Sequence, residues 1–368
     1  MESRLLSCAA VPAPKERDLE QTRKDLEAWL ATRLPDAAEV RVGEISGPGT
    51  TGFSSDTLMF DAEWRTGGAE VNASLVARVR PSGMTVFPEY DIARQYRIQE
   101  ILGASDVPMA PMHWLEEDER FLGAPFYVMG RVEGRIPTDN PPYHTGGWVV
   151  EIEPAEREAL WWSAVDALAA IHRVDWRATR LDFLERPGAT PLDAHLAEYE
   201  RMHGWVGGRP KPQVEHALRW LRDQQPRDTE PTVLAWGDAR IGNMVFRDGR
   251  CAAVLDWEMA ALGSPELDVA WFLFLDRHHS EGVGAERLEG FPSREATLAR
   301  YEEKSGFSVR HLHYYEVFAA LRFTIIMARV AQQMTHYGVL PAESNFEVDN
   351  PCSRLLATLL ELPPPGAA

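Results

Sequence analysis

The sequence predicts an α+β chain of two lobes, with strands gathered toward the N-terminus and helices in the remainder. Three observations carry this expectation. Apolar and polar residues alternate with period two in several runs before residue 130, as half-buried strands do. Beyond residue 154 the apolar residues recur at helical spacing instead. Residues 232–258, TVLAWGDARIGNMVFRDGRCAAVLDWE, read as strand, polar turn, strand, tight turn, strand. That stretch presents Asp238, Asn243 and Asp256 where apolar runs meet polar loops. A length of 368 residues suits two domains or one large bilobal one.

In chain order, residues 1–17 read as a loose tail. Asp18 with Gln21 makes a capping-box-like start. Leu19, Leu26, Trp29, Leu30 and Leu34 then recur at helical spacing, and Pro35 stops the helix. The expected divisions are 1–35 for tail and helix, 36–130 for the β-rich lobe and 131–368 for the helical lobe. Val40 to Ser46 is a strand signal. Residues 45–56 are rich in glycine and hydroxyls. Leu58, Phe60, Ala62 and Trp64 alternate, Thr66-Gly67-Gly68 turns, and Val71, Ala73, Leu75, Ala77 and Val79 alternate again. Pro88 to Leu102 reads as a helix with Tyr90, Ala93, Tyr96, Ile101 and Leu102 buried and Gly103 as its cap. Val107–Trp114 and Gly123–Met129 complete the strands.

Pro154 to Val174 is a helix with Leu160, Trp161, Ala164, Leu168 and Ile171 on one side, ending in His172. A histidine there reads as a core residue. Two or three helices follow, around 191–203 and 212–225, joined by a flexible Gly204–Pro212 stretch. Asp238, Asn243 and Asp256 supply two carboxylates and an amide oxygen, the donor set of a hard dication that also takes phosphate oxygens. The alternative is a hairpin with solvated turn carboxylates. His278 and His279 are adjacent, and His311 and His313 are two apart, so neither pair shares a helix face as metal ligands would. Residues 309–336 form a long helix (Leu312, Tyr315, Phe318, Ala319, Phe323, Ile326, Val330). Leu355, Leu356, Leu359 and Leu360 form a terminal one before Pro363. There is no internal repeat.

The spacing from Asp238 to Asn243, the hairpin, and Asp256-Trp257-Glu258 resemble the aminoglycoside-phosphotransferase-like family, whose loop runs roughly HGDxxxxN and then a DWE-type motif. Trp236 stands where the family usually has His. The resemblance, from about residue 43 to 338, implies a protein-kinase-like bilobal fold with ATP in the cleft. It makes Asp238 the base and Asn243 and Asp256 the Mg²⁺ ligands. It places Gly52, Phe53, Ser54 and Ser55 in a nucleotide loop, where glycine lets backbone N–H groups approach phosphate. Arg78 takes the position of the strand lysine and can still clamp phosphate oxygens in bidentate fashion; the other reading is an outward-facing arginine. Gln95 replaces the helix glutamate, with Glu89 as a substitute or a solvated residue. Residues 124–134 resemble the hinge, so Met129 would be the gatekeeper, and the Gly130 C=O and Val132 N–H would hold the purine edge. Arg240 could stabilise charge on the transferring phosphoryl or pair with a carboxylate. Asp268, in Gly263–Trp271, resembles a buried loop anchor.

Composition excludes some classes. The 56 acidic against 38 basic residues leave a net charge of −18, a poor balance for binding nucleic acid. It suits a cationic or neutral substrate, although solubility alone explains many acidic surfaces. Cys8, Cys251 and Cys352 are widely spaced and lack any CxxC, which points to reduced thiols in the cytoplasm and away from zinc. Residues 5–13 faintly resemble a signal peptide, but charge follows at once. No stretch nears the roughly 20 apolar residues of a membrane span. The expectation is a monomeric or homodimeric ATP- and Mg²⁺-dependent kinase for a small-molecule hydroxyl. Trp236, Arg78 and Gln95 leave a nucleotide-binding pseudokinase as the alternative. Absence of D-F-G and A-P-E segments argues against a kinase for protein side chains.

Overall fold

The structure is a computed structural model that describes residues 17–47, 56–186, 190–227 and 231–366. The predicted nucleotide loop, Gly52 to Ser55, and Cys8 lie outside these residues. Five antiparallel strands form the first sheet: β1 (Ala38–Val42), β2 (Asp56–Thr66), β3 (Ala69–Val79), β4 (Met112–Glu116) and β5 (Phe126–Gly130), in the order β1-β2-β3-β5-β4. β2 and β3 pair over their full length, from Asp56 opposite Val79 to Thr66 opposite Ala69. Their two-residue turn has Gly67 and Gly68 at φ 56° and 80°. Positive φ at both positions matches the twist of the flanking strands, and glycine takes it without steric cost.

Alternation along these strands gives the sheet two faces. Leu58, Phe60, Leu75, Ala77 and Val79 are buried against helix α1 (Leu19–Arg33), which contributes Leu26, Trp29 and Leu30. Asp18 caps this helix, accepting from Gln21 N–H at 2.9 Å. Leu19, expected in the buried stripe, is 46% exposed, because it stands at the first turn, beyond the sheet. The Trp29 indole donates to the buried Glu116 at 2.9 Å, fixing α1 to β4. Val76, Arg78, Tyr127 and Met129 face the other way, toward the second lobe.

Helix α2 (Ile92–Leu102) corrects the expected start at Pro88. Asp91 accepts from Arg94 N–H at 2.8 Å and caps it there. Its buried face is Ile92, Gln95, Ile98, Gln99 and Leu102, not the stripe of Tyr90, Ala93, Tyr96 and Ile101. Two buried amides shift the phase: the Gln99 side chain donates to the Tyr127 hydroxyl at 3.0 Å and to the Gln95 carbonyl at 3.1 Å. β4 begins at Met112, later than Val107, because Pro108 and Pro111 have no N–H for a ladder; their carbonyls accept from Val254 and Gly130 instead.

The second lobe is helical: α3 (Pro154–His172), α4 (Pro191–Val206), α5 (Pro212–Asp223), α6 (Glu266–His279), α7 (Arg294–Ser305), α8 (Leu312–His336) and α9 (Pro351–Leu359). Helix α8 is central, packing against α4, α5, α6 and α9. Two small antiparallel pairs are embedded among the helices: β6 (Val233–Ala235) with β9 (Ala261–Gly263), and β7 (Met244–Arg247) with β8 (Arg250–Val254). The last pair turns at Asp248 and Gly249, as the sequence suggested. Among the described residues no helix is long and apolar enough to cross a membrane.

Trp29→Ala should destabilise the first lobe by about 3–5 kcal/mol, through a cavity and the loss of one hydrogen bond to the buried Glu116, read as a lower denaturant midpoint. Burial pulls the imidazoles of His195 and His278 down to about 4 and about 3, from 6.5. Arg322 acts in the same direction on His195, and His279 on His278. The unfolded chain therefore binds more protons below about pH 6.5, and stability should fall as pH drops from about 6.5 toward 4. Thermal midpoints at about pH 7 and pH 5 test the sign, and His195→Gln should flatten the slope.

Candidate active site

β6 runs into Trp236-Gly237-Asp238, and one buried carboxylate fixes this turn. Asp268, in the first turn of α6 and 0% exposed, accepts from Trp236 N–H at 2.6 Å and Gly237 N–H at 2.8 Å. His172 closes the network, with Nε2 3.0 Å from Asp268 and Nδ1 against the Tyr301 hydroxyl at 2.5 Å. The structural reading of both residues agrees with this geometry. Gly237 has φ 92°, and a Cβ there would lie 2.2 Å from the Met259 carbonyl oxygen. Only glycine fits both constraints. Arg322 of α8 donates to the Gly237 carbonyl at 2.8 Å while its guanidinium lies 4.3 Å from the Trp271 ring centroid.

Asp238 follows with its carboxylate held by three side chains. Trp271 Nε1 donates to Oδ1 at 2.8 Å. Arg240 Nε lies 3.2 and 3.0 Å from Oδ1 and Oδ2. Asn243 Nδ2 donates to Oδ2 at 2.7 Å. These contacts engage both oxygens and fix the plane of the carboxylate. Arg240 is not free: it is wedged between Asp238 and Asp139. Burial works against its charge, and the two carboxylates more than offset that cost, so it stays a cation. Burial likewise opposes ionisation of Asp139, and Arg240 followed by His279 holds its carboxyl well below the usual range.

Asn243 and Asp256 stand side by side. Leu255 N–H donates to the Asn243 carbonyl at 2.8 Å. The Trp236 indole reaches across to the carbonyls of Leu255 and Asp256, at 2.9 and 3.1 Å. Trp236 therefore braces both loops itself, in the place where the resemblance expected histidine. Asp256 has φ 58°, a left-handed conformation that aspartate tolerates better than most residues. Its Oδ2 lies 3.5 Å from Arg78 Nη2, and its buried Oδ1 has no hydrogen-bond partner. Arg78 thus faces into the cleft. Its Nη1 donates to Thr57 Oγ1 at 3.0 Å. Burial opposes the Arg78 charge, with Asp256, then Tyr127 and Glu258, holding it charged. Gln95 is buried in α2, and Glu89 is exposed ahead of that helix.

At the lobe junction Met59, Val76, Met129, Val132 and Leu255 form one apolar patch. Gly130 N–H donates to the Pro111 carbonyl and Arg131 N–H to the Ser74 carbonyl, both at 2.8 Å, which ties the strand end down. The structure joins Asp238, Arg240 and Asn243 by hydrogen bonds and Asp256 to Arg78 by an ion pair, the Trp236 indole bridges to the Asp256 loop, and Met129 and Val132 pack with Leu255 beside it. Sequence reasoning missed Trp271 and Asp139. Trp271 was legible in part, since it lies three positions after Asp268 and shares a helix face with it.

Among the described residues no three His, Cys, Asp or Glu side chains could hold a metal alone. The donor set nevertheless fits Mg²⁺, which is commonly held by one or two carboxylates plus substrate phosphates. The uncommitted Asp256 Oδ1 is the oxygen such an ion would take, and Asn243 uses its Nδ2 toward Asp238.

Acyl-CoA dehydrogenase family member 10 of Mus musculus is 33% identical over 199 residues, 54% of this chain and 18% of that protein. The chain spans less than half the length of the curated relatives it matches. A candidate aminoglycoside phosphotransferase from Ralstonia eutropha superposes with TM-score 0.66 and 25% identity, covering 92% of this chain and 95% of that one. A thermostable mutant of an aminoglycoside phosphotransferase, solved with ADP and hygromycin B, superposes with TM-score 0.52 and 17% identity, covering 86% and 97%. Its likeness concerns the fold alone. Residues 58–303, more than half of the chain, match the phosphotransferase enzyme family, and the chain belongs to that family.

Proposed function

We propose that this chain is an ATP- and Mg²⁺-dependent kinase that moves the γ-phosphoryl group to a hydroxyl of a small molecule. The observation that carries this is the convergence of Asp238, Asn243, Asp256 and Arg78 on one cleft, with an uncommitted oxygen on Asp256. Asp238 orients the acceptor hydroxyl and takes its proton. The hydroxyl oxygen bonds to the γ-phosphorus as the bond to the β,γ-bridging oxygen breaks, and ADP leaves. A positioned base is worth about 10²–10⁴-fold, and most of the remainder is positioning and charge stabilisation. Asn243 and Asp256 would hold Mg²⁺, which when bound neutralises charge on the phosphates. Arg78 would meet the α- and β-phosphates, exchanging its contact with Asp256 for theirs. The apolar patch around Met129 would receive the purine, with the Gly130 C=O and Val132 N–H on its edge. By the family resemblance, Gly52 to Ser55 would contribute to phosphate binding. The role given to Arg240 changes with its partners: it orients Asp238.

ADP in the distantly related aminoglycoside phosphotransferase is consistent with nucleotide use here. For the acceptor, the hygromycin B bound to that protein supplies one class to test, an aminoglycoside alcohol. The curated relatives are named for acyl-CoA, and since a kinase acceptor must carry a hydroxyl, a hydroxylated acyl compound is a second class to test. We place the reaction in the cytoplasm, consistent with free Cys251 and Cys352, and in a monomer or homodimer. A pseudokinase was the alternative. The brace supplied by Trp236 removes one of the three departures that favoured it.

Asp238→Ala should abolish ATP consumption across a panel of aminoglycoside and hydroxyacyl acceptors while nucleotide still binds; unchanged turnover contradicts the assignment. Asp256→Ala should remove the Mg²⁺-dependent part of the thermal shift with ATP. A shift equal to wild type in that titration counts against the metal site.

A further inference from the structure

Arg240 holds Asp238 from one side and is itself held from the other. Its anchor is Asp139, in the stretch between β5 and α3 and 101 positions earlier in the chain. Arg240 meets Asp238 through Nε and Asp139 through Nη1, so both ends of the planar fork are engaged and its plane is defined. His279, near the end of α6, sets Nε2 3.3 Å from the second Asp139 oxygen, Oδ1, which is buried without a hydrogen bond. Gly242 is a separate observation. Its φ is not in the left-handed range, so backbone conformation does not demand glycine there. Room does: a Cβ would stand 2.6 Å from Asp139 Oδ1 and 2.7 Å from Arg240 Nη1. The catalytic loop is thus built around the Asp139–Arg240 pair.

We propose that Asp139 is a positioning residue for phosphotransfer: by anchoring Arg240 it fixes the Asp238 carboxylate against the acceptor. This rests on Asp238 being the base. Without Asp139 the guanidinium keeps one attachment and can rotate about it. Asp238 is then oriented only by Trp271 and Asn243. A displacement of about 1 Å at a reacting group can cost about 10²-fold in rate.

The test is steady-state hydrolysis of Mg-ATP with water as the acceptor, reading kcat and KM separately. Asp139→Ala should lower kcat about 10- to 100-fold and leave KM for Mg-ATP within about threefold. Asp139→Asn keeps the shape and one acceptor oxygen and should fall between wild type and Ala. Gly242→Ala should copy the Asp139→Ala pattern, because the added methyl displaces the same pair. In an Arg240→Ala background, adding Asp139→Ala should change kcat by less than about twofold, since the two act as one unit. Wild-type kcat in Asp139→Ala overturns the proposal. So does a loss of the same size with and without Arg240, which marks a structural role alone. Wild-type turnover in Asp238→Ala overturns the reading of Asp238 itself, whereas a dead Asp238 variant beside unaffected Asp139 variants overturns only the role of Asp139.

Discussion

The site depends on the buried carboxylate of Asp268. Two consecutive backbone N–H groups, of Trp236 and Gly237, converge on its two oxygens, and His172 occupies the remaining side. Hydrogen bonds to a charged group are worth about 1.5–3 kcal/mol each, and a buried carboxylate stripped of them is costly. The turn therefore has one low-energy position, at the N-terminal end of α6 where the helix dipole also favours negative charge. From it Asp238 projects toward Trp271, which stands one turn along the same helix. Anchor and orienter are thus set by one rigid element, which is how a reacting group is kept within a fraction of an ångström.

The second constraint is the pairing of charge across the cleft. Arg78 of the sheet faces Asp256, and Arg240 lies between Asp238 and Asp139. Each cation is partly buried beside carboxylates, so each stays charged. These pairs are uneven in what they leave available. Arg240 is engaged on both sides, whereas Asp256 keeps one bare oxygen and Arg78 keeps Nη2 without a hydrogen bond. On the proposed reading the unfilled groups belong to the side where phosphate and Mg²⁺ would arrive, and the filled ones to the side that would orient the acceptor.

Much of this was legible in the sequence because it is local. Period-two alternation locates β2 and β3, and the spacing of Asp238, Asn243 and Asp256 survives as a cluster. The phase of α2 was not legible, because Gln95 and Gln99 are buried polar residues, Gln99 through hydrogen bonds that an apolar pattern ignores. Helix α6 went unassigned because it is buried nearly all round and so lacks an amphipathic stripe. Asp139 was invisible for a different reason: its partner Arg240 is a hundred positions away, and only the fold joins them. Trp236 read as a missing histidine, yet its indole spans to the Asp256 loop, a substitution of means that residue identity does not reveal.

The central claim is that the cleft transfers phosphoryl groups to an alcohol. It is tested most directly by ³¹P NMR of the protein with Mg-ATP and a mixed pool of cationic and hydroxyacyl alcohols. The account predicts a phosphate monoester resonance that grows in step with ADP and is absent when Asp238 is replaced. Saturable binding of Mg-ATP by the wild-type protein, with no monoester formed from any alcohol and no ADP, would contradict it.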